Sequence, residues 1–188
     1  MKKTMSYLAA ALLLVAGLGV ALYPQSTEWR YSFEQQALAA EAASSQATAA
    51  VDAGGQAMPK GAVAKIQIAK IGLSAYVVEG TDAAQLDKGP GHYKGTPLPG
   101  ELGNSGIAGH RTMHGHVFRR LDEMKKGDEI VTVTPAKRSV YKVISVRVVD
   151  DSDWSVVDPT DDARLTLTTC HPVGSAKQRL VVTAVLVK

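Results

Sequence analysis

From residue 61 onward the chain is written in short runs with a period of two. In Ala64-Lys65-Ile66-Gln67-Ile68 apolar and polar residues alternate, as in a strand with one buried face. Ile71, Leu73, Ala75 and Val77 repeat the pattern after a short break. Further strands are expected at about 105–109, 129–134, 139–149, 164–170 and 179–187. Loops rich in Gly and Pro separate them, notably Gly89 to Gly100. Val117, Phe118, Leu121 and Met124 have helical spacing and predict one short helix. Many short strands with few helices predict an all-β fold, a closed or nearly closed barrel occupying residues 61–188.

The 60 residues ahead of it differ in kind. Met5 to Tyr23 carries no charge and is long enough to cross a bilayer as a helix. Lys2 and Lys3 precede it, so residues 1–4 are expected in the cytoplasm, 5–23 as a transmembrane anchor, and the remainder outside. The rival is a cleaved leader, since Gly19-Val20-Ala21 makes a small-x-small site; it too exports the rest of the chain. Residues 24–60 read as a stalk of Ala, Gln, Ser and Glu, with Trp29 and Tyr31 suited to the membrane interface. Its Ala37–Ala50 part is compatible with a helix but has little apolar face to bury, and Gly54, Gly55, Pro59 and Gly61 then end any helix. A spacer needs only length and solubility.

One cysteine leaves no internal disulfide, and a lone thiol in an exported chain asks for an explanation. The net charge of +3 is scattered, with no basic stripe interleaved with aromatics, so nucleic acid is not an expected partner. In Arg164-Leu165-Thr166-Leu167-Thr168-Thr169-Cys170, Leu165 and Leu167 face one way and Thr166, Thr168 and Cys170 the other. If this strand pairs antiparallel with the one that starts at Arg179, Cys170 and Arg179 stand opposite each other on one face. Cysteine attacks as its thiolate, arginine offers a fork of donors to a carbonyl or oxyanion, and acyl transfer needs a proton donor such as histidine. Of the five histidines, His110 follows Gly109 at a strand end, and His92 sits in a turn where it can line a groove. His171 is discounted because neighbours along a strand point to opposite faces. Each residue has an ordinary reading alone: a buried small hydrophobe, a solvated charge, a turn histidine. Together they do not.

These blocks resemble the sortase family. Thr166-Leu167-Thr168-Thr169-Cys170 is similar to its TLxTC motif, Arg179 to its essential arginine, and Ile107-Ala108-Gly109-His110-Arg111-Thr112 to its histidine block. Gly89-Pro90-Gly91-His92-Tyr93 and Leu98-Pro99-Gly100-Glu101 also look like segments of that family. The resemblance covers about residues 61–188 and is most like class E of actinobacteria, with class D next. It implies a closed barrel of about eight strands with one or two short helices, tethered outside the cytoplasmic membrane of a Gram-positive cell. It implies a cysteine transpeptidase in which Cys170 attacks the Thr–Gly bond of an LPxTG-type or LAxTG-type motif near the C-terminus of a secreted protein. His110 would be the proton donor and acceptor and Arg179 the oxyanion and substrate holder, with Thr168, Thr169, His92 and Tyr93 among the substrate-binding positions. An amine of a peptidoglycan precursor would then resolve the thioester.

Three rivals compete. His110-x3-His114-x-His116 has the look of a metal cluster, but His110 and His114 would face the same way only on a helix, and Gly109 and Gly115 argue for a loop. The aspartates at 150, 151, 153, 158, 161 and 162 lack the spacing of a calcium-binding loop, so no cofactor is required, although calcium is compatible with them. An L,D-transpeptidase needs a different block around its cysteine, and a caspase-like protease needs QACxG; neither is present. The third rival is a non-catalytic barrel that binds cell-wall peptides.

Overall fold

The computed structural model describes residues 2–48 and 58–188; Gly54 and Gly55, expected to stop a helix, lie outside the described residues. The chain begins with a helix, α1 (Lys2–Thr48). Eight strands follow: β1 (Ala62–Ile68), β2 (Leu73–Glu79), β3 (Gly91–His92), β4 (Gly103–Ala108), β5 (Glu129–Val133), β6 (Arg138–Asp150), β7 (Ala163–His171) and β8 (Gln178–Leu186). They close into a barrel in the order β1-β2-β3-β4-β7-β8-β6-β5, which leaves no long free edge. The closed barrel expected from the periodicity is therefore present, with the eight strands that the resemblance implied.

The interior follows from the alternation. Ile66, Ile68, Val77, Ile107, Ile130, Tyr141, Leu165, Leu167 and Val182 are fully buried in one cluster. Each large apolar side chain so buried contributes about 1.5–3 kcal/mol before entropy is counted.

Two of the pairings are parallel, β2 with β3 and β4 with β7. The second decides where the chemistry sits. Ala108, the last residue of β4, lies beside Thr168, so His110 and Cys170 each follow two residues later at the same barrel end. The antiparallel turn from β7 to β8 then places Arg179 opposite Cys170, as the sequence required.

Three features depart from the sequence reading. The helix expected around Val117–Met124 is instead a pair of single 3-10 turns, His114–His116 and Leu121–Glu123. Val117, Phe118, Leu121 and Met124 are nonetheless buried, because a three-residue spacing serves 3-10 turns as well as an α-helix. A short helix that was not expected, α2 (Ala83–Leu86), is started by Asp82, whose carboxylate accepts from the Gln85 N–H at 3.2 Å. Finally, α1 continues through residues 24–48 of the proposed stalk, and its second half rests on the barrel. Tyr31 packs against the core, Ala42 is buried, and Gln35 reaches the β2 backbone. The segment 5–23 is helical within α1, yet among the described residues no helix is long and apolar enough to cross a membrane.

Candidate active site

At the barrel end where β4 and β7 finish, a cavity of about 210 Å³ opens, lined by Thr81, Leu86, Tyr93, Ala108, Gly109, His110, Trp154, Thr168, Thr169, Cys170 and Arg179. The three residues singled out for catalysis thus share one wall system, and three of the four binding candidates join them. Cys170 is a half-buried free thiol at the end of β7. Arg179 folds its guanidinium back, Nη1 donating to the carbonyls of Ala176 at 2.7 Å and Gln178 at 3.1 Å. Those two bonds hold the head of the side chain against the β7–β8 turn.

The segments carrying Cys170 and His110 are laced together. The Gly109 N–H donates to the Thr168 carbonyl at 3.1 Å, and the buried Thr169 hydroxyl donates to the Gly109 carbonyl at 2.7 Å. Glycine is required there: a Cβ on Gly109 would stand 2.6 Å from the Phe118 ring, which fills the barrel end below. The Phe118 N–H in turn donates to the His110 carbonyl at 3.0 Å.

Arg111 adds a second tie. It is buried (3% exposed), and its Nη1 donates to His171 Nδ1 at 3.1 Å and to the Cys170 carbonyl at 3.4 Å. Its Nη2 pairs with Asp122 at 3.0 Å. One guanidinium therefore spans the loop after β4, the strand end of β7 and the 3-10 turn. The sequence reading quoted Arg111 in the histidine block but gave it no role; only its burial reveals one. His171, discounted as a site residue, turns away from the cavity towards this arginine.

The histidine loop also corrects an expectation. His110 and His114 were expected to face apart in a loop, but their ring centroids lie 5.2 Å apart, and both aim Nε2 at Asp87 Oδ1, at 3.9 and 3.2 Å. The loop achieves this because His114 adopts φ 49° and Gly115 φ 74°, a left-handed turn that swings the ring back. His116 leaves the group and meets Glu28 of α1 at 3.0 Å. Burial, and then the neighbouring His114, push the His110 pKa down, while Asp87 opposes them. Neither Asp87 nor His114 was named as part of the site.

The remaining candidates divide. Tyr93 reaches the cavity, its hydroxyl hydrogen-bonded to Thr168 Oγ1 at 2.8 Å and its ring set edge-on to Trp154 at 6.4 Å. Trp154 is held in place through Asn104, whose amide donates to the Val156 and Asp158 carbonyls and whose carbonyl accepts from Thr166. His92 does not line the cavity. It is buried on β3, with Nδ1 on Glu79 at 3.0 Å and Nε2 within 3.0 Å of both the Pro97 carbonyl and Thr96 Oγ1, so it pins the loop after β3 rather than a substrate. Among the aspartates of the acidic stretch, Asp150 and Asp153 close tight turns onto Ser152 and Ser155, and Asp162 pairs with Arg164.

Comparison with known proteins points one way. A family model described as a sortase domain matches residues 66–187. Sortase D of Bacillus subtilis is 37% identical over 121 residues, 62% of this chain and 60% of that protein, so the chain spans less than two thirds of this relative's length. The crystal structure of Sortase E1 from Streptomyces coelicolor, with a tripeptide in its active site, superposes with a TM-score of 0.63 at 33% identity, covering 68% of this chain and 88% of that one. A Sortase D5 transpeptidase from Clostridium perfringens gives a TM-score of 0.63 at 29% identity and covers 88% of this chain and 98% of its own.

Proposed function

The chain belongs to the sortase family, and from that membership and the cavity at the barrel end we propose that it is a cysteine transpeptidase of the cell surface. The observation that carries the proposal is the register that sets Cys170 against Arg179 on the wall of a cavity shared with His110.

In this reading the Cys170 thiolate attacks the carbonyl of the Thr–Gly bond in an LPxTG-type or LAxTG-type sorting motif. The developing oxyanion is met by Arg179, whose turn-anchored side chain stands across the strand pair. His110 gives its proton to the departing glycine amine, leaving a thioester on Cys170. An incoming amine of a peptidoglycan precursor gives its proton to His110, attacks the thioester and releases the Cys170 thiolate, so that the secreted protein ends on the wall. Thr169 acts here as a positioning residue, since its hydroxyl is engaged by Gly109 and not turned to a substrate. Tyr93 and Trp154 offer an aromatic wall to the peptide.

We also place the chain at the membrane. Leu12, Leu13, Leu14, Val15, Leu18 and Val20 are exposed around α1, a surface that a bilayer would cover, and the exposed Trp29 follows where an interface would lie. The sorting motif, the accepting amine and the anchor belong to this proposal.

The test is turnover of fluorogenic LAxTG and LPxTG peptides with and without an added amine, beside Cys170→Ala. Cleavage between Thr and Gly, with an acyl group trapped on Cys170 by mass spectrometry, is expected; Cys170→Ala should do neither. A folded protein that forms no adduct with either peptide would point to the non-catalytic barrel instead.

A further inference from the structure

We propose that Asp87, His110 and His114 form a binding site for a zinc-type divalent metal ion, and that the bound ion switches the enzyme off. Three elements deliver the donors: the C-terminal end of α2, the chain leaving β4, and the left-handed turn at His114. One ligand atom from each lies within 4.8 Å of the others. A tetrahedral zinc ion with bonds of about 2.0–2.2 Å separates its ligands by roughly 3.3–3.6 Å. The pair Asp87 Oδ1–His114 Nε2, at 3.2 Å, falls just short of that spacing, and His110 Nε2, at 3.9 Å from the same oxygen, is a few tenths of an ångström beyond it.

The chemistry selects the ion. Two imidazoles and one carboxylate suit zinc and its neighbours among the transition metals, whereas calcium requires six or more oxygens. With three protein ligands the fourth position stays open, and one of the three, His110, lines the cavity. A histidine with φ 49° is uncommon outside glycine-like turns, and the turn's effect is to bring a second imidazole onto Asp87. An ion pair between Asp87 and His114 would need no further histidine; the convergence of both Nε2 atoms on one carboxylate oxygen is what a cation completes.

The consequence follows from which atom is used. Coordination takes the Nε2 lone pair of His110, and any proton there is released to solvent. The imidazole then keeps only its Nδ1 proton, which it can release only by becoming an imidazolate, and it has no lone pair left to take a proton from the incoming amine, so turnover stops until the ion is removed. The inhibition, though not the binding, rests on His110 being the proton carrier proposed above.

The experiment separates the two. The full chain carrying Cys170→Ala, which removes the thiol as a rival ligand, is titrated with zinc chloride against a chromophoric chelator, with calcium chloride as a control. One zinc per chain is expected, with no competition from calcium. Adding His114→Gln or Asp87→Asn to that background should weaken zinc binding by at least about tenfold, with circular dichroism confirming the fold. With Cys170 intact, zinc should abolish peptide turnover and a chelator restore it, while the turnover that the His114→Gln chain retains, at whatever basal rate, should ignore the same zinc. The proposal is overturned if Cys170→Ala binds no zinc, or if zinc binding survives both His114→Gln and Asp87→Asn. A chain that binds zinc as expected but turns over no peptide would count against the transpeptidase reading and leave the site standing.

Discussion

Gln35 performs the work of a missing strand residue, and replacing it by methionine should loosen the barrel. The N–H groups of Tyr76 and Val78 point to the same side of β2, because alternate residues do. Val78 finds the Pro90 carbonyl at 2.9 Å, but β3 is two residues long and does not reach Tyr76. Gln35 of α1 fills the gap: its Oε1 accepts from the Tyr76 N–H at 2.8 Å, and its Nε2 donates to the Lys88 carbonyl at 2.8 Å. Gly89 makes room for the amide, since a Cβ there would lie 2.6 Å from Nε2. Methionine keeps the length and the apolar stem of the side chain and removes these two bonds, together with a third from Nε2 to the Tyr76 carbonyl that at 3.4 Å is too long to add much. Two partly solvated hydrogen bonds at about 1 kcal/mol each give a loss of about 2 kcal/mol. For a domain of this size that is a fall in melting temperature of about 4–8 °C. Thermal unfolding of the full chain measures it, and amide hydrogen exchange localises it, with Tyr76 and its neighbours on β2 exchanging faster. A melting temperature within a degree of the parent, with Tyr76 exchange unchanged, would refute the claim that α1 completes the sheet.

Other outcomes follow from the site. Thr169→Val deletes the buried bond to Gly109, and should lower stability by about 1–2 kcal/mol and reduce kcat while KM holds; an unchanged kcat would remove Thr169 from the positioning of His110. Arg111→Lys keeps the charge but not the fork that joins Cys170, His171 and Asp122, so the rate of acyl-enzyme formation should drop more than peptide affinity, as read by pre-steady-state trapping. His114→Ala, assayed with a chelator present, removes one of the causes that depress the His110 pKa; His110 should hold its proton to higher pH, and the limb where kcat falls with rising pH should move upward. Burial, reinforced by Glu28, raises the Tyr31 phenol to about 12, so its contribution to stability is full below the ordinary pKa of 10.0 and is lost as pH climbs towards 12. Tyr31→Phe should flatten that alkaline fall in a series of thermal melts, and an identical fall would assign it to other groups.

The sequence exposed what periodicity and pairing carry, and it was silent where backbone geometry or solitary polar contacts decide. The alternation in Ala64–Ile68 and Arg164–Cys170 is enough to predict a barrel and to seat Cys170 against Arg179, because a period of two and an antiparallel register leave little freedom. It could not say that His110 and His114 share a carboxylate, since that depends on a positive φ at a residue other than glycine, which no pattern announces. Nor could it foresee the docking of α1, because the segment's principal hydrogen bonds come from one glutamine in an Ala-rich run and not from an apolar stripe. The same limit applies to His92: a turn position suggested that it lines a groove, but it and Tyr93 leave the chain on opposite sides, one to Glu79 and the other to the cavity. What links these cases is the loop from Gly109 to Arg120. It is tied to β7 by Thr169 and Arg111, to α2 by His114 and to α1 by Glu28, so the group proposed to move protons is held by elements from three separate parts of the chain. Its position therefore answers to the docking of α1 as well as to the barrel, through Glu28, which accepts from the Gly115 N–H, and Tyr31, which lies beside Gly115 and His116.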